Sequence, residues 1–152
     1  MTTSVTDMAT DRRSGLVDTN IVILRDRLDP LELPDEIAIS AVTLAELSAG
    51  PHAVVGEDAP ARAERGRRMA ILQRAESEFE PLPFDAPAAR VYGQLTGAVR
   101  ALGRTPPGRH ADLQIAATAG ANGLALYTTN PDDFAGLEEW ISVVAVRRPP
   151  TG

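Results

Sequence analysis

The stretch GLVDTN, residues 15–20, predicts a short buried strand that ends at a carboxylate. Its first three residues carry no polar side chain, as expected for a strand that is buried on both faces of its sheet. Asp18 follows directly, and the chain then turns. In an open α/β sheet, groups at the carboxyl ends of strands face a common crevice. Asp18 is therefore a candidate for a functional site.

Three further acidic or amide side chains occupy comparable places along the chain. Glu46 lies early in a helical pattern that follows the apolar run at residues 37–40, and Asp112 opens a second helical pattern. Asn130 follows the apolar run at residues 124–129. Oxygen ligands of this kind, in a chain without cysteine, suit a hard divalent cation. The four positions together indicate a metal-dependent enzyme that cleaves phosphodiesters.

Strand and helix patterns alternate along the chain with short links. This alternation predicts an α/β fold, a three-layer α/β/α sandwich around a mainly parallel sheet. The 152 residues suffice for one core and are too few for two, so a single domain is expected over residues 15–148. Residues 1–14 are polar and are expected to form a flexible leader. The predicted strands are 15–20, 37–40, 124–129 and 141–146, and the predicted helices are 21–28, 43–49, 61–79, 86–102 and 110–121, with a loop at 103–108 and a helical turn at 131–134.

Composition excludes several classes of protein. Without cysteine there are no disulfides, thiolate nucleophiles or Cys-based zinc sites. All fifteen basic residues are arginine, which excludes Schiff-base chemistry and a P-loop, and weakens the case for a phosphotransfer receiver domain. No apolar run is long enough for a membrane span, and the lack of disulfides suits the cytoplasm.

The net charge of −6 counts against a nucleic-acid protein only if the charges are spread evenly. Residues 62–68 are locally basic, whereas several acids fall at the four candidate positions. Clustered carboxylates repel phosphate unless a cation lies between them. A bound metal would turn the acidic cluster into a site for phosphate.

Four short segments resemble the PIN-domain family, in particular the small single-domain toxins of bacterial VapBC toxin–antitoxin pairs. Each segment alone is unspecific, but their order and spacing cover the chain from about residue 15 to residue 146. The segments are LVDTN at 16–20, VTLAEL at 42–47, ADLQIAA at 111–117 and TTNPDDF at 128–134.

The resemblance implies a magnesium- or manganese-dependent endoribonuclease with a PIN-like fold. Asp18, Glu46 and Asp112 would hold the metal, and Asn130 stands where the family usually has a fourth acid. An amide can ligate through its carbonyl oxygen but brings no charge. We therefore expect one Mg²⁺ that retains several waters rather than two firmly held metals.

A metal-activated water would attack the phosphodiester in line, and Asp112 is the residue expected to orient that water. Thr128 is predicted to hold nearby ligands by hydrogen bonds. Asp133, or its neighbour Asp132, is predicted to assist through water.

The resemblance also implies an RNA substrate, a homodimer and a cognate VapB-like antitoxin whose peptide lies along the active-site groove. The helical segments 42–47 and 61–72 offer surface for such a partner. Arg65, Arg68 and Arg109 are candidate RNA contacts, although a solvated surface explains all three equally well.

Each metal-site candidate also has a purely structural interpretation. Asp18 and Asn130 could cap helices, and Asp112 could lie in the favourable first turn of its helix. The segment 43–46 fits a capping box ending in Glu46. The rival function is a non-catalytic PIN-like module that binds RNA or a protein partner, and the amide at position 130 keeps it open.

Overall fold

Four short strands pair in parallel in the computed structural model, which describes residues 13–104 and 110–151. Within those residues the strands form one sheet with the order β2-β1-β3-β4. The central pair is β1 and β3, in a register that sets Val17 beside Tyr127. The strands are β1 Ser14–Val17, β2 Glu36–Ala38, β3 Ala125–Thr128 and β4 Val143–Ala145.

Five α-helices connect and cover the strands within the described part of the chain. Short 3₁₀ turns add to them at Arg25–Arg27, Pro30–Glu32, Gly50–Ala53 and Pro131–Phe134. The helices are α1 Thr19–Leu24, α2 Ala41–Ala49, α3 Ala59–Glu78, α4 Ala86–Ala101 and α5 His110–Ala121.

Two apolar clusters lie on opposite faces of the sheet. Leu16 and Leu126 are fully buried in a cluster with side chains of α4 and α5. Val17 and Tyr127, one residue further along each strand, pack on the other face with Ile21 of α1. Because side chains alternate along a strand, each central strand contributes to both layers of core. The predicted three-layer α/β/α fold is confirmed.

Capping residues explain where several helices begin. Asp85 accepts a hydrogen bond from the Ala88 amide at 3.1 Å, so α4 begins at the predicted residue. The bounds of α5 also agree with the prediction. Asp58 caps α3, which therefore starts two residues before the predicted position 61.

The predicted first strand, 15–20, is too long at its carboxyl end. It stops at Val17 because Asp18 is already the N-cap of α1, so the helix begins at Thr19 rather than at residue 21. The predicted strand 141–146 is likewise shortened to β4. At the end of β1, the N-cap of the following helix therefore ends the strand although the apolar pattern is compatible with a longer one.

Parts of two predicted segments lie outside the described residues. Of the predicted leader, the structure describes only Arg13 and Ser14, and Ser14 is the first residue of β1. Of the predicted loop at 103–108, it describes only the first two residues. In the part of the chain that the structure describes, no helix has the length and apolar character needed to cross a membrane.

Gly15 is expected to be indispensable to the central strand pair, because a methyl group there would lie 2.3 Å from the buried Tyr127 ring. Gly15→Ala should lower the free energy of unfolding by about 1–3 kcal/mol. Gly97→Ala is the matched control, since Gly97 is in α4 with open space around its Cα. It should stabilise the protein by about 0.5–1 kcal/mol. Urea denaturation measures both, and equal effects of the two substitutions would contradict this account of β1.

Candidate active site

One cavity of about 520 Å³ lies where β1 and β3 end. It is lined by polar side chains from five separate parts of the chain. Seven of them belong to residues that the sequence singles out, namely Asp18, Glu46, Arg68, Asp112, Thr128, Asn130 and Asp133.

The pairing of β1 with β3 brings the first of these groups together. Just beyond the paired residues, the Asp18 amide donates to the Tyr127 carbonyl at 3.1 Å. Asp18 and Thr128 therefore lie at neighbouring strand ends, and their side chains are hydrogen-bonded. The Thr128 hydroxyl also accepts from the Asn130 amide at 3.0 Å. Thr128 thus links two of the predicted site residues, while its proposed assisting role stays a prediction.

Asp18 is a partly buried carboxylate whose ionised form is costly. Burial raises the pKa of Asp18, and the nearby Glu46 carboxylate raises it further. Hydrogen bonds from Thr128 and the Ile21 amide, and the charge of Arg148, act in the opposite direction. The pKa of Asp18 is raised overall, so the positive charge and hydrogen bonds around the carboxylate do not compensate for its burial. A cation in the cavity would supply what is missing.

The structural interpretation of Asp18 as a helix cap is also correct. Its Oδ1 accepts from the Ile21 amide at 3.1 Å at the start of α1. A carboxylate has two oxygens with several acceptor positions, so capping leaves capacity for a metal.

Glu46 does not belong to a capping box, and that prediction is wrong. Helix α2 begins at Ala41 with Ser40 as its N-cap, so Glu46 lies in the second turn. Its Oε1 accepts from the Thr19 hydroxyl at 2.6 Å, and the Thr43 hydroxyl lies 3.0 Å from that of Thr19. Because the carboxylate can only accept, the Thr19 proton goes to Glu46 and Thr43 donates to Thr19. This chain of hydroxyls holds the Glu46 carboxylate at the cavity.

Asn130 precedes the 3₁₀ turn at 131–134, but its side chain makes no capping hydrogen bond. Instead its Oδ1 accepts from the guanidinium of Arg148. The cap interpretation is therefore wrong for the side chain. Arg148 follows the last strand, and nothing in the local sequence signals that it contacts Asn130.

Asp112 lies in the first turn of α5, as its structural interpretation predicts, and it also lines the cavity. Of the two neighbouring acids, Asp133 is a lining residue, whereas Asp132 is not among them. Thr19 and Asn20 also line the cavity; the segment LVDTN contains both, but neither is among the predicted site residues. Their position directly after Asp18 was the available signal.

The donor set consists of oxygens, which suits Mg²⁺ or Mn²⁺. Among the described residues, however, no three acidic or histidine side chains are close enough together to enclose one ion directly. The arrangement is looser than the three-carboxylate cluster predicted from the sequence. It fits a cation that keeps several of its waters, as Mg²⁺ commonly does, with some carboxylates contacting those waters.

The predicted RNA-contacting arginines have different environments. Arg68 lines the cavity together with Arg67, which the sequence analysis did not single out. Arg65 is not a lining residue: its guanidinium donates to the carbonyls of Val54 and Gly56 and so ties α3 to the preceding loop. Arg109 lies outside the described residues.

Asp18→Asn is expected to stabilise the metal-free protein at neutral pH. The pKa of Asp18 is raised in the fold, so the ionised carboxylate lowers the free energy of unfolding above that pKa, and protonation relieves the cost as the pH falls through it. Asparagine keeps the acceptor for the Ile21 amide without the charge. The difference between variant and wild type should narrow from about pH 8 toward about pH 4.

Urea denaturation in EDTA at both pH values measures this difference. Asp85→Asn is the control, because Asp85 caps α4 in the same way but is exposed and outside the cavity. A loss of stability in Asp18→Asn that does not change with pH would contradict the assignment.

Comparisons with known proteins agree with the architecture. Residues 15–139 match the PIN domain family. The chain is 36% identical to "Ribonuclease VapC5" of Mycobacterium tuberculosis over 92% of this chain and 99% of that protein. It is 31% identical to the "tRNA(fMet)-specific endonuclease VapC" of Shigella flexneri over 82% of this chain and 96% of that protein.

Solved structures show the same likeness. A chain of the VapBC-5 toxin–antitoxin structure from Mycobacterium tuberculosis superposes with a TM-score of 0.73 at 36% identity, over 89% of this chain and 98% of that one. A chain of the DNA-bound VapBC from Salmonella typhimurium gives a TM-score of 0.64 at 27% identity, over 86% of this chain and 96% of that one. This chain belongs to the PIN-domain family.

Proposed function

We propose that this protein is the toxin of a type II toxin–antitoxin pair, an endoribonuclease that hydrolyses RNA phosphodiester bonds with a divalent metal. The observation that carries the proposal is the cavity at the ends of β1 and β3, lined by Asp18, Glu46 and Asp112. Relatives that span nearly this whole length are named as ribonucleases or endonucleases. The catalytic unit is proposed to extend over residues 15–148.

Asp18, Glu46 and Asp112 would hold Mg²⁺ or Mn²⁺, in part through water. The ion, when bound, would lower the pKa of a water molecule and neutralise charge on the phosphate oxygens. Asp112 orients the attacking water and accepts its proton, as a base within hydrogen-bond reach would do.

Other side chains keep these groups in place. Thr128 holds Asp18 and the backbone at Asn130, and Thr19 holds Glu46. Hydrogen-bond partners of metal ligands typically contribute a factor of about 10–100 in affinity or activity. Asn130 and Asp133 assist at the edge of the cavity, where Arg148 brings a positive charge.

Partner binding is proposed from the solved relatives, which are toxin–antitoxin complexes, some of them bound to DNA. Apolar side chains next to the carboxylates would accept side chains of an antitoxin peptide; they are Ile23, Leu47, Ile71 and Phe134. A VapB-like antitoxin, a homodimer and a cytoplasmic location complete the proposal.

The second candidate is a PIN-like module that binds RNA or a protein without cutting it. Two observations favour it. Position 130 has an amide instead of a carboxylate, and that amide is hydrogen-bonded to Arg148. The acidic side chains of the cavity are also loosely arranged. Metal-dependent cleavage separates the two candidates.

The purified chain, free of any partner, is expected to cleave total RNA with Mg²⁺ or Mn²⁺ and to be inactive in EDTA. Asp18→Asn and Asp112→Asn should each lower the cleavage rate by at least about 100-fold. They replace proposed metal ligands, whereas loss of a ligand's hydrogen-bond partner typically costs a factor of about 10–100. Asp85→Asn should cleave like wild type, because this cap lies outside the cavity.

Cleavage products separated on a denaturing gel give the rates. Binding of RNA without cleavage in either metal would favour the non-catalytic module. Cleavage that persists undiminished in Asp18→Asn would contradict the assignment of Asp18 to the active site.

A further inference from the structure

Helix α3 presents two adjacent arginines to the same cavity as the carboxylates. Arg67 and Arg68 both line it, although they lie far from Asp18 and Asp112 in the chain. Their side chains are 54% and 37% exposed, so solvent and a ligand can reach both. The cavity therefore has an acidic part at the strand ends and a cationic part on α3.

Both guanidinium groups are oriented by the protein before any ligand binds. Glu64 Oε2 accepts from Arg67 Nε at 3.0 Å, and Glu64 Oε1 accepts from Arg67 Nη2 at 2.6 Å and from Arg68 Nε at 2.9 Å. Arg68 Nη1 also donates to the Gly50 carbonyl at 2.8 Å. These contacts hold Arg67 through Nε and Nη2, and they hold Arg68 through Nε and Nη1.

Further N–H groups remain on each guanidinium, because arginine has five N–H donors and these bonds use only some of them. The planar fork of arginine matches phosphate geometry. The hydrogen bonds from both arginines lower the pKa of Glu64 to about 2, so it stays ionised and keeps them oriented across the physiological range.

We propose that Arg67 and Arg68 form a subsite for a backbone phosphate of the RNA strand, separate from the scissile phosphate at the carboxylates, and that Glu64 is the positioning residue for both. The subsite rests on the proposed function, because it assumes that RNA enters this cavity. It would set the direction and register of the strand relative to the cleaved bond, which phosphate contacts do without reading sequence.

Neighbouring arginines of the same helix do not share this environment. Arg65 is turned toward the carbonyls of Val54 and Gly56, and Arg62 is exposed; neither lines the cavity. The local basic segment thus contains two arginines of the subsite and two that lie outside it. Arg62→Ala is therefore a control for the loss of one positive charge from the same helix.

Fluorescence anisotropy with a labelled single-stranded RNA of mixed sequence tests the subsite, with every variant made in the cleavage-deficient Asp112→Asn chain. The double variant Arg67→Ala, Arg68→Ala should bind about 10-fold more weakly or worse. The slope of log affinity against log salt should become shallower by about 0.7, the value for one lost phosphate contact on a single strand. Arg62→Ala should leave both quantities unchanged.

Glu64→Ala separates positioning from simple repulsion. Removing a negative charge beside RNA would strengthen binding if charge alone mattered, whereas loss of orientation weakens it. Weaker binding by Glu64→Ala supports the proposal, and tighter binding overturns the role of Glu64. Arg67→Ala alone serves if the double variant does not fold, since the hydrogen bond to the Gly50 carbonyl comes from Arg68 and is kept.

Two outcomes distinguish this proposal from the proposed function. If wild type cleaves RNA but the double variant binds like Arg62→Ala, the subsite is wrong and the ribonuclease stands. If wild type never cleaves RNA and the double variant still loses binding and salt dependence, the subsite stands and the enzyme assignment is wrong.

Discussion

The parallel pairing of β1 with β3 is the constraint on which the cavity depends. The Tyr127 carbonyl accepts a hydrogen bond from the Asp18 backbone amide, so the two strands end side by side. This brings Asp18 next to Thr128. Gly15 makes this approach possible, because its missing side chain leaves room for the Tyr127 ring. Asp18 then begins α1, and Thr128 joins the same hydrogen-bond network. A shift of one residue in this register would move Asp18 to the wrong face of the sheet.

Charge balance within the cavity links metal binding to RNA binding. Asp18 is partly buried beside Glu46, and hydrogen bonds together with the charge of Arg148 offset only part of the cost. On α3, the two arginines share a single carboxylate partner, Glu64. A cation near Asp18 would therefore relieve repulsion among the acids and reduce their repulsion of an RNA strand. Binding of the cation and binding of RNA in this cavity should thus strengthen each other.

Much of this arrangement follows from the sequence by simple rules. Alternating strand and helix patterns predict the layers, and the strand-end rule predicts that Asp18 and Asn130 lie at a common edge. The cap at Asp85 is a local signal, which is why α4 begins where it is predicted to begin. The cap at Asp58 was not predicted, and α3 begins two residues earlier than expected. The predicted set of lining residues came from a family likeness over four ordered segments, not from any single motif.

The features that the sequence did not predict depend on long-range packing. Which arginine of residues 62–68 faces the cavity depends on the rotation of α3 against α2 and the 3₁₀ turn at Gly50–Ala53. The partner of Asn130 is Arg148, 18 residues further along the chain and beyond β4. The predicted capping box at 43–46 is absent because the helix begins earlier, with Ser40 as its N-cap.

Anomalous diffraction from crystals soaked in Mn²⁺ tests the central claim most directly, since it locates the ion without relying on activity. The account predicts an Mn²⁺ peak in the cavity between Asp18, Glu46 and Asp112, bound directly or through water. A cavity that holds no ion at saturating Mn²⁺, or an ion bound only elsewhere on the chain, would contradict it.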